Sequence, residues 1–222
     1  MSYSFEAWHG SRYGNCDFMA GGTDSGVAWF SFQQGEAESF ALQADPDGAL
    51  PTLCKVRVEG SRYSLFDGGL DLPEEDVRNA IIECLKEKGA SEYWLDDILG
   101  SMENYDFMAY DPDGGGTDSA LVAECVKELG YIGWLERESH LDTPENFALF
   151  DPHTRVTVLE VFVLCPDCGS TMGAIDDVTY ECDSCEAEHK VCGVCATPLG
   201  FGEDDEEWFY ANCNCDAEGL VD

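Results

Sequence analysis

The stretch "CPDCGSTMGAIDDVTYECDSC" (165–185) dominates the carboxyl-terminal part of this 222-residue chain. It contains two Cys-x-x-Cys pairs, Cys165 with Cys168 and Cys182 with Cys185, separated by thirteen residues. Each pair places two thiolates on one side of a tight turn, and two such turns complete a tetrahedron around zinc. The spacing therefore predicts a zinc ribbon. Four protein ligands leave no open position on the metal, so the predicted site is structural.

A second group of four cysteines follows in "CGVC" and "CNC", namely Cys192, Cys195, Cys213 and Cys215. Together with the first group they predict two structural zinc ions per chain. One zinc, disulfides or an iron–sulfur cluster are the alternatives, and the pairing of the turns stays open. His189 could replace one of the ligands. A segment this short depends on metal binding for its stability.

The charge of the chain is strongly negative, with 46 acidic against 11 basic side chains and a net charge of −35. Lys and Arg are too few to neutralise a nucleic-acid backbone, and the same imbalance disfavours an anionic membrane surface. After position 150 the basic residues are Arg155 and Lys190. Because the acids are spread along the whole chain, they favour a halophilic protein of a high-salt cytoplasm. A basic protein partner is the alternative.

No run of apolar residues is long enough to span a membrane, and the amino terminus lacks a signal-peptide pattern. These features predict a protein of the reducing cytoplasm, where paired cysteines indicate metal binding more often than disulfides. Cys16, Cys54, Cys84 and Cys125 show no motif spacing. Cys84 and Cys125 lie in helical patterns, so we expect them to be small, buried, inert thiols.

Before residue 164 the sequence patterns predict helices and strands without regular alternation. The clearest helix is 72–89, where Pro73 lies in the first turn, Val77, Ile81 and Leu85 share one face, and Gly89 ends the helix. Further helices are predicted at 36–44 and 117–130, and strands at 2–8, 26–32, 51–59, 131–136, 146–151 and 155–164. Strands dominate both ends, so the class is α+β rather than a doubly wound sheet.

Four strings in this region share their order with a known family: "WHGSRYGN" (8–15), "GVAWFSF" (26–32), "LGYIGWLE" (129–136) and "PENFALFDPHTRVTVLEVFV" (144–163). In this order the set resembles the ADP-ribosyltransferase superfamily of the poly(ADP-ribose) polymerase and diphtheria-toxin type. It is most similar to the small domains of phage and mobile-element polyvalent proteins. The resemblance implies a split antiparallel β-sheet domain over 1–163, followed by a double zinc-ribbon domain over 164–222.

The resemblance also implies an NAD-binding cleft. His9 would contact the adenosine ribose, the backbone of Gly10 would hold the nicotinamide carboxamide, and Trp29 would stack on the nicotinamide ring. An electron-rich ring stabilises the cationic nicotinamide, and a carboxylate stabilises the oxocarbenium-like transition state as nicotinamide leaves. The other residues implied to line the cleft are Ser11, Arg12 and Ser31.

The predicted catalytic carboxylate is Glu145, acting with His9. In the family a catalytic Glu commonly stands five residues before the Asp of the final "FD". Counting back from Asp151 gives Asn146, one position after Glu145. A one-residue slip on a strand reverses the face of a side chain, although a bulge could restore it. Glu136 or Glu138 could serve instead, or no carboxylate is in place.

The function implied by this resemblance is NAD-dependent mono-ADP-ribosylation of a protein acceptor, with NAD as substrate and two structural zinc ions. The acidic composition disfavours a nucleic-acid acceptor. For a phage-encoded chain, the host cytoplasm is the expected compartment. Two other functions stay open: a catalytically inactive module that binds NAD or ADP-ribose, and an interaction protein whose contacts are made by the zinc ribbon.

Overall fold

The computed structural model describes most strands and helices of the chain, within the ranges 3–11, 27–43, 50–67, 71, 74–90, 95, 117–136, 146–176, 179–190, 200–202 and 207–209. Within these ranges helices accompany a mostly antiparallel sheet, which confirms the predicted α+β class. Among the helices described there, none combines the length and apolar character needed to cross a membrane.

Seven strands form the large sheet, in the spatial order β4-β5-β6-β2-β1-β3-β7. Strand β6 pairs antiparallel with both β2 and β5, whereas β4 and β5 run parallel. The seven strands are β1 (Ser4–Ser11), β2 (Val27–Ser31), β3 (Thr52–Glu59), β4 (Leu65–Phe66), β5 (Gly133–Glu136), β6 (Asn146–Phe150) and β7 (Val156–Val163). Six of them lie within or close to the predicted strands, and the two-residue β4 was not predicted.

Within the described ranges, four α-helices accompany the sheet: α1 (Gln34–Leu42), α2 (Glu75–Glu87), α3 (Thr117–Glu128) and the short α4 (Pro152–Arg155). The amphipathic pattern of α2 is confirmed, because Ile81 and Leu85 are fully buried. Gly89 and Gly130 follow α2 and α3 with positive φ angles of 94° and 93°. Glycine adopts this conformation without a steric penalty, which explains why both helices end there.

Two small antiparallel sheets complete the described fold. The first consists of β8 (Met172–Ala174), β9 (Thr179–Cys182) and β10 (Glu188–Lys190), in the order β10-β9-β8. The second consists of β11 (Gly200–Gly202) and β12 (Glu207–Phe209). Backbone pairing between Leu164 and Thr171 links the end of β7 to the residue before β8.

The chain divides into two compact units. The first unit comprises Met1–Ala7, Phe18–Gln33 and Arg57–Thr157, and the second comprises Trp8–Asp17, Gln34–Val56 and Val158–Asp222. The predicted boundary at residue 163 stays a prediction. Each unit has its own apolar core. In the first, α2 and α3 pack with residues such as Val27, Phe66 and Trp134; in the second, Ala37, Ala41, Leu53 and Leu164 pack with Trp8 and Phe162.

One expectation about the first unit is wrong. Cys84 in α2 and Cys125 in α3 are not separate thiols but form a disulfide, with a Cα–Cα distance of 5.7 Å. The packing of the two helices brings the cysteines together, although 41 residues separate them in the chain. Lys88 connects the same helices, because its Nζ lies 2.9 Å from carboxylate oxygens of both Glu124 and Glu128. Cys54 in β3 is also disulfide-bonded.

Candidate metal centre

The four cysteines of the first predicted group meet in one place. The Sγ atoms of Cys165 and Cys185 are 3.6 Å apart, and those of Cys168 and Cys182 are 3.4 Å apart. All four sulfur atoms lie within 4.8 Å of one another. Zinc–sulfur bonds of about 2.3 Å require tetrahedral sulfur–sulfur distances of about 3.8 Å, which is close to both of these pair distances. The cluster could therefore hold a metal ion.

Two turns with the same hydrogen-bond pattern present these thiols. In the first turn the N–H of Gly169 donates to the carbonyl of Cys165, and the N–H of Cys165 donates to the carbonyl of Ser170, both at 2.8 Å. The second turn repeats both bonds from Cys182, beginning with the N–H of Glu186, at 2.8 and 2.9 Å. A few local backbone bonds thus fix both pairs of cysteines, which explains why the spacing alone predicted the site.

The residue after each Cys-x-x-Cys pair adopts the left-handed conformation. Gly169 has a φ of 75°, and Glu186, at the equivalent position of the second turn, has a φ of 58°. A side chain in this conformation is strained, whereas glycine is not. We therefore expect Glu186→Gly to raise the free energy of unfolding of the metal-loaded protein by about 0.5–1 kcal/mol, measured by denaturant titration.

The equivalent position provides the control for this substitution. Gly169→Ala should lower the stability, because its Cβ would be strained and would lie 3.0 Å from Cδ1 of Leu42. Equal destabilisation by Glu186→Gly and Gly169→Ala would contradict the assignment of strain to Glu186.

Cys168 and Cys185 differ in pKa because their surroundings differ. Hydrogen bonds from the side chain and backbone of Ser170 lower the pKa of Cys168 to about 6. At Cys185 a hydrogen bond from the backbone of Ala187 favours the thiolate. Hydrogen bonds with the thiols of Cys182, Cys165 and Cys168, together with partial desolvation, outweigh it and raise the pKa of Cys185 to about 12. Thiolates this close repel one another, and a divalent cation among them would favour deprotonation of all four.

A further group of possible ligands adjoins the four thiols. Cys165, Asp167 and His189 place one donor atom each within 4.8 Å of one another. The sequence pointed to His189 but not to Asp167, whose position between the two cysteines of "CPDC" was the available signal.

Three of the predicted NAD-contacting residues lie on β1, in the second unit. His9 is half-buried, and Gly10 and Ser11 are buried. Gly10 has a packing role of its own, because a Cβ there would lie 1.9 Å from the carbonyl oxygen of Ala37 in α1. Glycine is therefore needed for the close approach of strand and helix, whether or not a ligand binds.

Trp29 and Ser31 lie on β2, in the first unit. The half-buried ring of Trp29 packs edge-on against Trp134, with 6.1 Å between the ring centroids. Ser31 is buried, and its Oγ accepts a hydrogen bond from the N–H of Gln33 at 3.0 Å. Across the sheet, Ser31 pairs with Asn146, the first residue of β6.

Of the remaining predicted site residues, Glu136 ends β5, where its backbone pairs with Asn146. Those that lie outside the described residues are Arg12, Glu138, Glu145, Cys192, Cys195, Cys213 and Cys215.

Comparison of the chain with protein-family models, with curated proteins and with solved structures finds no match. Among the described residues, the four-thiol cluster is the site whose distances and donor atoms best fit the binding of a ligand, here a metal ion.

Proposed function

We propose that residues 164–190 bind one zinc ion through the thiolates of Cys165, Cys168, Cys182 and Cys185. The observation that carries this proposal is the meeting of four sulfur atoms within 4.8 Å on two turns of identical hydrogen bonding. Four thiolates in tetrahedral arrangement are a donor set that suits zinc. With every coordination position taken by protein, the ion would stabilise the fold rather than catalyse a reaction.

The small apolar cluster around this site supports a stabilising role for the metal. It consists of Cys165, Met172 and Cys182, with Val163, Tyr180 and Ala187 packed against it. Two of the three buried residues in this cluster, Cys165 and Cys182, are themselves proposed zinc ligands. Burial of so little apolar surface cannot offset the conformational entropy lost by about 25 ordered residues. Metal binding would supply the missing free energy.

Elemental analysis of protein purified without chelator tests the zinc proposal. We expect Cys182→Ser to carry one zinc per chain fewer than the wild type. Ser184→Ala, in the same turn, should keep the full content. Equal zinc in Cys182→Ser and the wild type would contradict the proposal, and iron in place of zinc would contradict the identity of the metal.

We further propose that the part of the chain before the ribbon binds NAD and transfers one ADP-ribose unit to a protein acceptor. The proposal rests on the resemblance of "WHGSRYGN" (8–15) and the strings that follow it. One feature of the sheet supports it: Ser31 pairs with Asn146, directly after Glu145. Strand β2, which carries Trp29, and strand β6, whose first residue follows Glu145 in the sequence, are thus neighbours in the sheet.

Calorimetric NAD titration and nicotinamide release test the transferase proposal. His9→Ala should weaken NAD binding or turnover at least about tenfold, the effect of losing one buried hydrogen bond of about 1–3 kcal/mol. His153→Ala, a substitution of an exposed histidine in α4, is the control. Glu145→Gln should keep NAD binding and lose nicotinamide release, as expected for an interaction made in the transition state.

Two results would contradict this assignment. Absence of NAD binding by the wild type would exclude the transferase and the NAD-binding module alike. Binding without nicotinamide release by the wild type would exclude catalysis and leave the inactive module.

A further inference from the structure

We infer that Cys165, Asp167 and His189 form a second cation site beside the four-thiolate centre, with the Cys165 thiolate shared by two zinc ions. The inference rests on the proposed zinc centre, because Cys165 is one of its four ligands. It adds two ligands, Asp167 and His189, that the zinc-ribbon spacing does not include. The second ion would be bound by sulfur, oxygen and nitrogen instead of by four sulfur atoms.

The distances between the donor atoms fit coordination better than hydrogen bonding. Nε2 of His189 lies 3.4 Å from Oδ2 of Asp167, and both lie within 4.8 Å of Sγ of Cys165. Two ligand atoms about 2.0–2.1 Å from a tetrahedral zinc ion are about 3.4 Å apart. A charge-assisted hydrogen bond between nitrogen and carboxylate oxygen is shorter, about 2.7–2.9 Å. The separation thus matches one edge of a coordination tetrahedron.

The imidazole of His189 has a buried nitrogen that lies at ion-pair distance from Asp167 but forms no hydrogen bond among the described residues. Nε2 is buried and makes no hydrogen bond to any residue in the described ranges, although the side chain as a whole is 23% exposed. A buried polar atom without a hydrogen bond is unfavourable by about 1–3 kcal/mol, and coordination of a metal ion is one explanation for such an atom. A metal ion bound to Nε2 would remove this cost.

Two hydrogen-bonded elements hold the new ligands. Asp167 lies inside the first Cys-x-x-Cys turn, whose backbone bonds fix the position of Cys165. His189 lies in the middle of β10, where it pairs with Tyr180 of β9. The three donors therefore come together through the same turn and sheet that form the first centre.

Charge also favours a second cation here. Zinc with four thiolates is doubly negative, and the chain as a whole carries −35. A second divalent ion on the shared thiolate would offset part of this charge. Asp167 is 61% exposed, so the position is open to solvent on one side. Three protein ligands would leave the fourth position of this ion free for water or another small ligand, unlike the first centre.

Equilibrium dialysis against zinc, followed by metal and protein quantification, tests the second site. We expect His189→Ala and Asp167→Asn each to bind one zinc per chain fewer than the wild type. His153→Ala and Asp183→Asn are the controls, since Asp183 is an exposed carboxylate in the other turn. Both should bind as much zinc as the wild type. Zinc held elsewhere on the chain is common to all five proteins, so the difference counts this site alone.

The outcomes separate the second site from the first. Equal zinc in the wild type, His189→Ala and Asp167→Asn would overturn the second site, even if these variants bound zinc more weakly. Asp167→Asn changes an exposed side chain, so it gives an answer even if His189→Ala fails to fold. Cys185→Ser removes a ligand of the first centre only, and undiminished zinc in that variant would instead overturn the four-thiolate centre.

Discussion

A chelator should unfold residues 165–190 and leave the helical core of the first unit intact. The sheet of β8, β9 and β10 has three short strands and an apolar cluster of only six residues. Structural zinc binding contributes about 10–16 kcal/mol in small metal-dependent domains, far more than this cluster can supply. Loss of the ion would also leave four thiols within 4.8 Å, which repel one another when deprotonated.

Hydrogen exchange with peptide-level mass spectrometry measures this effect. With chelator, we expect loss of protection in the peptides that carry Cys165–Ser170 and Cys182–Ala187. Peptides of α2 and α3 should keep theirs. Added zinc should restore the protection, and Cys182→Ser should show the unprotected pattern without chelator. Unchanged protection in the chelated wild type would contradict a metal-dependent fold.

The features predicted correctly from the sequence are those encoded locally. Each Cys-x-x-Cys turn is fixed by two backbone hydrogen bonds within six residues, so its spacing is sufficient to identify it. The same holds for α2, where Ile81 and Leu85 are one turn apart and share the buried face. Local periodicity and turn chemistry suffice for such elements.

The features that were missed depend on contacts between distant segments. The pairing of β4 with β5 brings Leu65 beside Gly133, and neither strand shows this in its own pattern. Asp167 was missed because its position inside "CPDC" is a weak signal in a chain with 46 acids, until the fold brings His189 next to it. For Gly10 the resemblance implied a ligand-binding role. Its close approach to Ala37 shows that helix–strand packing requires a glycine there even without a ligand.

The disulfide between Cys84 and Cys125 was also missed, because it depends on how α2 packs against α3.

Loss of this disulfide should produce the largest change in stability within the first unit. A cross-link limits the unfolded chain, and for a sequence separation of 41 residues the loop-entropy relation gives about 4 kcal/mol. Cys125 is fully buried in the core, so the reduced pair would also leave a thiol in apolar surroundings.

We therefore expect Cys84→Ser to lower the free energy of unfolding by about 4 kcal/mol, measured by urea denaturation under non-reducing conditions. The double variant Cys84→Ser/Cys125→Ser should lose about as much as the single one, because the two residues act as one unit. Reductant should lower the stability of the wild type more than that of Cys84→Ser, because both proteins lose the disulfide of Cys54 and the wild type also loses the Cys84–Cys125 bridge. Lys88→Ala, which removes the exposed ion pairs between the same helices, should change the stability little.

Mass spectrometry after alkylation shows whether the bridge exists before any stability is measured. In the wild type without reductant, Cys84 and Cys125 should stay unlabelled even in denaturant, whereas both should be labelled after reduction. Labelling of both cysteines without reductant would show that the helices are held by packing alone. The free energy of unfolding would then differ little between the wild type and Cys84→Ser, because Cys84 lies at the half-buried edge of the core and Lys88 would still join the helices.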